Sequence, residues 1–399
     1  MRTGFSAEDL SRARAETPGC EEVLHFNNAG AALMPEPVLD ATVSHLRLEA
    51  RIGGYEAADR SRDAIERVYD ATATLIGCSR DEIAVIENAT RAWDMAFYSI
   101  PFEPGDRILT AMAEYASNYI AYLQIARKTG AKVEVVQNDE HGQISVEALR
   151  GMIDDDVRLI SLTHVPTNGG LVNPAAAVGE VAREAGILYL LDACQSAGQL
   201  PLDVAEIGCD MLSATGRKYL RGPRGTGFLY VRREVLEDLE PPFLDLHAAS
   251  WMARDRFEIR PDARRFENWE TNYAGKVGLG VAIDYALRWG VEEIRDRVQY
   301  LARRLRASLS GVPGVTVRDL GSERCGIVTF TVKGKPSHTI VRALSGQGIN
   351  TSLSPPASTL LDMESRDLEG LVRASVHYYN SEEEVETFCN TLESILSKA

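Results

Sequence analysis

The chain has 399 residues, with 43 Lys and Arg against 58 Asp and Glu for a formal net charge of −15, and is 45% hydrophobic and 25% charged. That hydrophobic fraction excludes a disordered chain, and an acidic balance with no Lys/Arg-rich block excludes a protein that tracks nucleic-acid phosphates. The length suffices for two or three domains with sizeable cores, and a small molecule is the expected partner.

The six cysteines, Cys20, Cys78, Cys194, Cys209, Cys325 and Cys389, are scattered, with no C-x-x-C pair and no His at zinc spacing. They read as reduced thiols of a cytoplasmic protein without a metal site. The start, MRTGFSAEDLSRARAETPG, has no apolar run of signal-peptide length, and no later stretch approaches the ~18 apolar residues of a membrane span. No membrane or nucleic-acid partner is expected.

In chain order, residues 1–75 read as helices around the irregular segment HFNNAGAALMPEPV. A regular zone follows, in which short apolar runs alternate with amphipathic helical stretches such as Ser117–Thr129 and Ala175–Ala185. The runs are Ile83–Ile86, Arg107–Thr110, Lys132–Val136, Leu159–Thr163, Ile187–Leu191, Met211–Ser213 and Thr226–Val231. Such alternation predicts an α/β fold with a mostly parallel sheet covered on both faces. After about residue 275 come two long helices, Val277–Trp289 and Val291–Ser310, strands at Val315–Val317 and Gly326–Val332, a helix near His338–Ser345 and a last helix after Asn380. The expected division is residues 1–275 as N-terminal segment and large domain, with 1–20 packing on a small α+β domain of residues 276–399.

Three segments carry chemistry. In LYLLDACQSAGQ an apolar strand ends in Asp192, with Gln195 three residues on, at the strand edge where open α/β sheets bind ligands. The alternative for Asp192 is a helix N-cap for the segment from Cys194. In SATGRKYLRGPRGTGFLYV, Lys218 follows a strand end before a glycine-rich turn, one βαβ-like step after Asp192. A lysine able to form a Schiff base and an acid able to keep a pyridine nitrogen protonated are the pair that pyridoxal phosphate requires. In IENATRAWDMAFYSI a strand runs into Asn88, Ala89, Thr90 and a helix, whose free N–H groups suit a phosphate, although Asn and Thr are also ordinary caps.

With these segments in order along one sheet, the chain resembles fold-type-I pyridoxal-phosphate enzymes of the class V aminotransferase and cysteine desulfurase superfamily over nearly its whole length. The likeness runs through FNNAGAALMP, AEYASN, the D-x-x-Q of Asp192 and Gln195, TGRKYLRGPRGTG and RASVHYYNSEEEV. It implies a large domain with a seven-stranded, mostly parallel sheet and pyridoxal 5'-phosphate as cofactor. Lys218 is then the catalytic lysine that forms the Schiff base and moves the α-proton, and Asp192 the partner of the pyridine nitrogen. Tyr115 stacks on the ring, Gln195 reaches the phenolate oxygen, and Ala89, Thr90 and Thr215 hold the phosphate. Thr167 or Asn168 lies near the ring. Arg373 grips the substrate carboxylate, the alternative being an ion pair with Glu382–Glu384. Asn28 and Ala29 belong to the substrate side, and Thr271 with Asn272 reaches the phosphate of a second subunit, implying a homodimer with shared sites.

Two departures shape the expected reaction. The late segment GINTSLSPPASTLLDMESRDLEGLVRASV holds Ser352, Ser354 and Ser358 but no Cys, where the superfamily's desulfurases carry a nucleophilic one, and Arg217 replaces the His before the lysine. Residues 41–66, with Gly53, Gly54 and Tyr55, together with GRKYLRGPRG, are similar to hercynylcysteine sulfoxide lyases, against a background shared with isopenicillin N epimerase-like proteins; Tyr55 would stand near the substrate. The expectation is therefore a C–S β-lyase releasing a thiol or sulfenic product, pyruvate and ammonia from an S-substituted cysteine or its sulfoxide, and not a persulfide-forming cysteine desulfurase. The alternatives are an epimerase or racemase, an aminotransferase or a decarboxylation-coupled deaminase, and outside catalysis a scaffold protein.

Overall fold

A computed structural model describes residues 5–397. Its main sheet has seven strands: β1 (Ile83–Ile86), β2 (Arg107–Ala111), β3 (Lys132–Val136), β4 (Val157–Thr163), β5 (Leu188–Asp192), β6 (Met211–Thr215) and β7 (Gly227–Val231). They lie in the order β1-β7-β6-β5-β4-β2-β3. All neighbours are parallel except those of β7, which runs against both β1 and β6.

The inner apolar runs are strands because both faces are buried, while β3 is a partly exposed edge strand. Leu109, Ile160, Leu191 and Leu212 pack with helices α1 (Arg62–Ile76) and α4 (Ala175–Ala185) on one face. Their chain neighbours Ile108, Leu159, Leu190 and Met211 pack with α2 (Ala89–Phe97) and α3 (Ala116–Thr129) on the other. Burial of alternate residues on opposite faces, at ~25 cal/mol per Å² of apolar surface removed from water, fixes the strand register as well as the layers.

A second sheet follows α5 (Tyr273–Trp289) and α6 (Val291–Gly311). It is antiparallel, in the order β8-β9-β11-β10, from β8 (Val315–Val317), β9 (Ile327–Val332), β10 (Ser352–Ser354) and β11 (Leu371–Ser375). Val328, Phe330 and Val372 bury against Leu301 and Leu305 of α6 and Phe388 of α7 (Glu382–Ser397). The N-terminus is tied to this part of the molecule. Leu24–His25 pairs in parallel with Ile349–Asn350, and Arg14, on the helix Ala7–Ala15, donates to Tyr379 O at 3.1 Å and to Glu384 at 2.7 Å.

Elements not expected include the hairpin Ala249–Ala253 with Arg256–Ile259, the strands β10 and β11, the paired short strands Leu24–His25 and Ile349–Asn350, and the helix Leu360–Ser365. Among the described residues the six cysteines are unpaired, no helix is long and apolar enough to cross a membrane, and no group of side chains is arranged to hold a metal.

Candidate active site

The register of the main sheet aligns its strand ends. Thr163 lies beside Asp192, Asp192 beside Ser213, and Gly227 beside both Thr215 and Ile86. Asn88, Asp192 and Thr215 therefore meet at the carboxyl edge, where the ends of parallel strands leave room for a ligand. A cavity there is lined by Ala89, Thr90, Tyr115, Thr167 and Thr215, and on its deeper side by Asp192, Cys194, Gln195, Arg217 and Lys218. These include eight of the sequence-predicted positions.

The N-terminus of α2 is prepared for an anion. Asn88 caps the helix by accepting from Arg91 N at 2.9 Å, which leaves the N–H groups of Ala89 and Thr90 toward the cavity. The approach of β7 to this turn needs a glycine: a Cβ on Gly227 would stand 2.6 Å from Ala214 O, 3.0 Å from Asn88 C and 3.2 Å from Ala89 N.

Asp192 is buried, accepting from Cys194 N at 2.8 Å and from Asn118 Nδ2 at 3.0 Å. The first contact is the local turn expected of a capping Asp, but no helix starts there. Burial raises the Asp192 carboxyl above the ordinary range, with the two hydrogen bonds and Lys218 opposing. Lys218 donates to Cys194 Sγ at 3.2 Å, and burial lowers its ammonium pKa. Burial also raises the Cys194 thiol, which Lys218 opposes. A thiol held protonated is a poor nucleophile, so Cys194 is not an activated one.

Arg373 is buried on β11, and its guanidinium donates to the Thr167 hydroxyl. The alternative ion pair is absent, because Glu382 pairs with Arg297 at 2.5 Å and Glu384 with Arg14. The Arg373 Nε and the Gln195 Oε1 are buried without a partner. Gln195 donates to Ala29 O at 3.2 Å. These orphaned atoms, the free helix N-terminus, the half-buried lysine and the buried aspartate suit a phosphorylated pyridine aldehyde together with an amino acid.

The remaining predicted residues sit elsewhere. The Asn28 side chain ties chain segments together, donating to Ser375 O at 2.7 Å and accepting from the Tyr379 hydroxyl, and Ala29 N donates to Ser375 Oγ at 2.9 Å. Asn168 is turned to Thr359 Oγ1 at 2.8 Å, so of the pair at that turn it is Thr167 that faces the cavity. Thr271 lines a separate groove with Glu87, Thr226 and Lys276, and Tyr55 is 72% exposed. Glu114 and Asn118, within the segment AEYASN, are functional candidates that sequence reading passed over; the signal was two buried polar residues flanking Tyr115.

The chain matches the model of the aminotransferase class-V family over residues 24–388. It is 30% identical to a probable cysteine desulfurase of Xylella fastidiosa, covering 97% of this chain and 95% of that protein. A probable cysteine desulfurase of Methanothermobacter thermautotrophicus is 29% identical, with 99% and 98% covered. Among solved structures, the apo cysteine desulfurase of Thermococcus onnurineus superposes with a TM-score of 0.91 at 27% identity, covering 98% of each chain. The cystine C-S lyase C-DES, in complex with its product cysteine persulfide, superposes with a TM-score of 0.84 at 25% identity, covering 94% of this chain and 99% of that one.

These relatives correct the expected reaction. The C–S β-lyase, and the exclusion of persulfide-forming desulfurases, rested on a missing Cys in one segment and a likeness over residues 41–66. The likeness over nearly the full length runs to cysteine desulfurases. The narrower resemblance to hercynylcysteine sulfoxide lyases and isopenicillin N epimerase-like proteins finds no support among them. Family model, fold and cavity agree: the chain belongs to the class V aminotransferase family of fold-type-I enzymes, whose cofactor is pyridoxal phosphate.

Proposed function

We propose that the chain is an enzyme of the cysteine desulfurase type, acting at Cα of cysteine or a close analogue. The observation that carries this reading is that a half-buried lysine, a buried aspartate and a free helix N-terminus line one cavity, in a chain related to cysteine desulfurases over nearly its full length. Bound pyridoxal phosphate supplies the electron sink that makes the α-proton of an amino acid removable.

The chain's own residues do the rest. The N–H groups of Ala89 and Thr90, with the Thr215 hydroxyl, hold the phosphate at the positive end of α2. Asp192 would hold the pyridine nitrogen, Tyr115 would stack on the ring and Gln195 would serve the phenolate oxygen, all three lining the cavity. Lys218, whose burial favours the neutral amine, takes the α-proton and returns one. Arg373, steadied by Thr167, receives the substrate carboxylate in its planar fork. Thr271 completes the phosphate site of a second copy, and the exposed Tyr55, Trp251 and Phe257 supply apolar surface to such a dimer.

The late segment has no cysteine, so the sulfur acceptor is a separate thiol: L-cysteine and RSH give L-alanine and RSSH, the C–S bond breaking as the S–S bond forms. A second thiol then releases sulfide from RSSH and leaves a disulfide. The test is sulfide release from L-cysteine by the cofactor-loaded protein at increasing thiol concentration. The rate should rise with thiol and vanish in Lys218→Ala; a rate independent of thiol would exclude the external acceptor.

A further inference from the structure

Behind Asp192 lies a second buried carboxyl group. Glu114 sits between β2 and α3, and it accepts from Tyr115 N at 2.8 Å, Asn118 Nδ2 at 2.9 Å, Thr110 Oγ1 at 2.9 Å and Thr163 N at 3.2 Å, as well as from the Thr163 hydroxyl. The same Asn118 nitrogen donates to Asp192 Oδ2 at 3.0 Å. Glu114, Asn118 and Asp192 are 3%, 2% and 6% exposed, so the three form one desolvated row. Among the described residues neither acid forms an ion pair, and the one cation that acts on Asp192 is Lys218, at longer range. Glu114 does not line the cavity; its effect reaches the ligand only through Asn118 and Asp192.

The arrangement has a directional consequence. An asparagine amide presents either its oxygen or its nitrogen to a neighbour, and an oxygen facing Asp192 would repel the carboxylate. Glu114, itself supplied with donors by two backbone N–H groups, accepts from Asn118 and so holds the nitrogen side toward Asp192. The Asn118 donor thereby orients Asp192 and favours its charged form, against the burial that raises its carboxyl.

We propose that Glu114 and Asn118 are positioning residues that hold Asp192 ready for the protonated pyridine nitrogen of the cofactor. This rests on Asp192 as the partner of that nitrogen. The test compares Asn118→Leu, Glu114→Gln and Asp192→Asn with the parent, using pyridoxal phosphate labelled with ¹⁵N in the ring. Asn118→Leu removes the donor at constant size; it should weaken cofactor binding at least about tenfold and move the ring ¹⁵N resonance downfield, toward the unprotonated pyridine. Glu114→Gln should move both in the same direction by less, with melting temperature within a few degrees of the parent. Loss of stability alone would not move the nitrogen resonance. If Asn118→Leu does not fold, Glu114→Gln decides. A resonance and affinity unchanged in the folded variants while Asp192→Asn shifts both would overturn the proposal; a resonance unmoved by Asp192→Asn would overturn the assignment of Asp192 beneath it.

Discussion

The amine of Lys218 lies 3.2 Å from the sulfur of Cys194, on the same strand-end turn that carries Asp192. Sequence distance hides this relationship, since 24 residues and a whole strand separate the two. It holds the Lys218 amine at the turn that follows Asp192 and partly out of solvent, where an amine loses its proton more readily than in water.

The first prediction concerns that amine. Lys218→Ala should fold like the parent, because the side chain makes a single hydrogen bond, yet it should retain no cofactor after borohydride treatment and denaturation. Intact-mass spectrometry reads this directly: the parent gains the mass of the reduced cofactor and the variant does not. A cofactor adduct on the variant would place the reactive lysine elsewhere.

Arg373 is buried with an unpartnered Nε, and its guanidinium contact is the Thr167 hydroxyl. Arg373→Gln should raise KM for the amino acid about 10–100-fold, in line with the ~1.5–3 kcal/mol of a charge-assisted hydrogen bond, while kcat falls less. Steady-state kinetics on L-cysteine checks it; an unchanged KM would put the carboxylate on another group.

Gly227 lets β7 pass against the turn at Asn88 and Ala89. In Gly227→Ala the new methyl group meets backbone on both sides, so the helix start must shift. Cofactor affinity, followed by fluorescence titration, should fall at least tenfold with a modest loss of melting temperature. Parental affinity would separate the phosphate site from this turn.

Glu267 is the centre of a buried network with Lys276 Nζ at 3.2 Å, Tyr69 OH at 2.8 Å, Val85 N at 2.7 Å and His247 Nε2 at 3.1 Å. Burial raises its pKa, but Lys276 and these donors outweigh that and hold the carboxyl at about 2, below its ordinary 4.5. A folded-state pKa below the unfolded one stabilises the protein above the ordinary value, and that stability is lost as pH falls from about 4.5 toward 2. Glu267→Gln should cost ~3–5 kcal/mol at neutral pH, because Lys276 is left buried without its partner, and should flatten the acid limb of the stability curve. Denaturant melts across pH check both; a variant with the parental pH dependence would remove Glu267 as its source.

The main sheet was legible because strands buried on both faces are mostly apolar, as Ile83–Ile86 and Leu159–Thr163 show. The hairpin at Ala249–Ala253 was not, since its side chains are mostly exposed and carry no burial period. β11 was missed because a buried arginine interrupts its apolar run. Among the site residues, Thr215 came from the resemblance, whereas Asp192 and Lys218 were readable from local pattern at strand ends. Asn28 was not, because its amide is engaged by Ser375, 347 positions away, and Asn118 was not, because its partner Asp192 lies 74 positions on. The exclusion of desulfurase chemistry failed for a related reason: one segment without cysteine was given more weight than likeness along the whole chain.

The fate of the three-carbon fragment tests the central claim most directly. With L-cysteine labelled with ¹³C, excess thiol and the cofactor-loaded protein, NMR should show labelled alanine appearing in step with sulfide. Labelled pyruvate and ammonia in place of alanine would contradict the desulfurase reading.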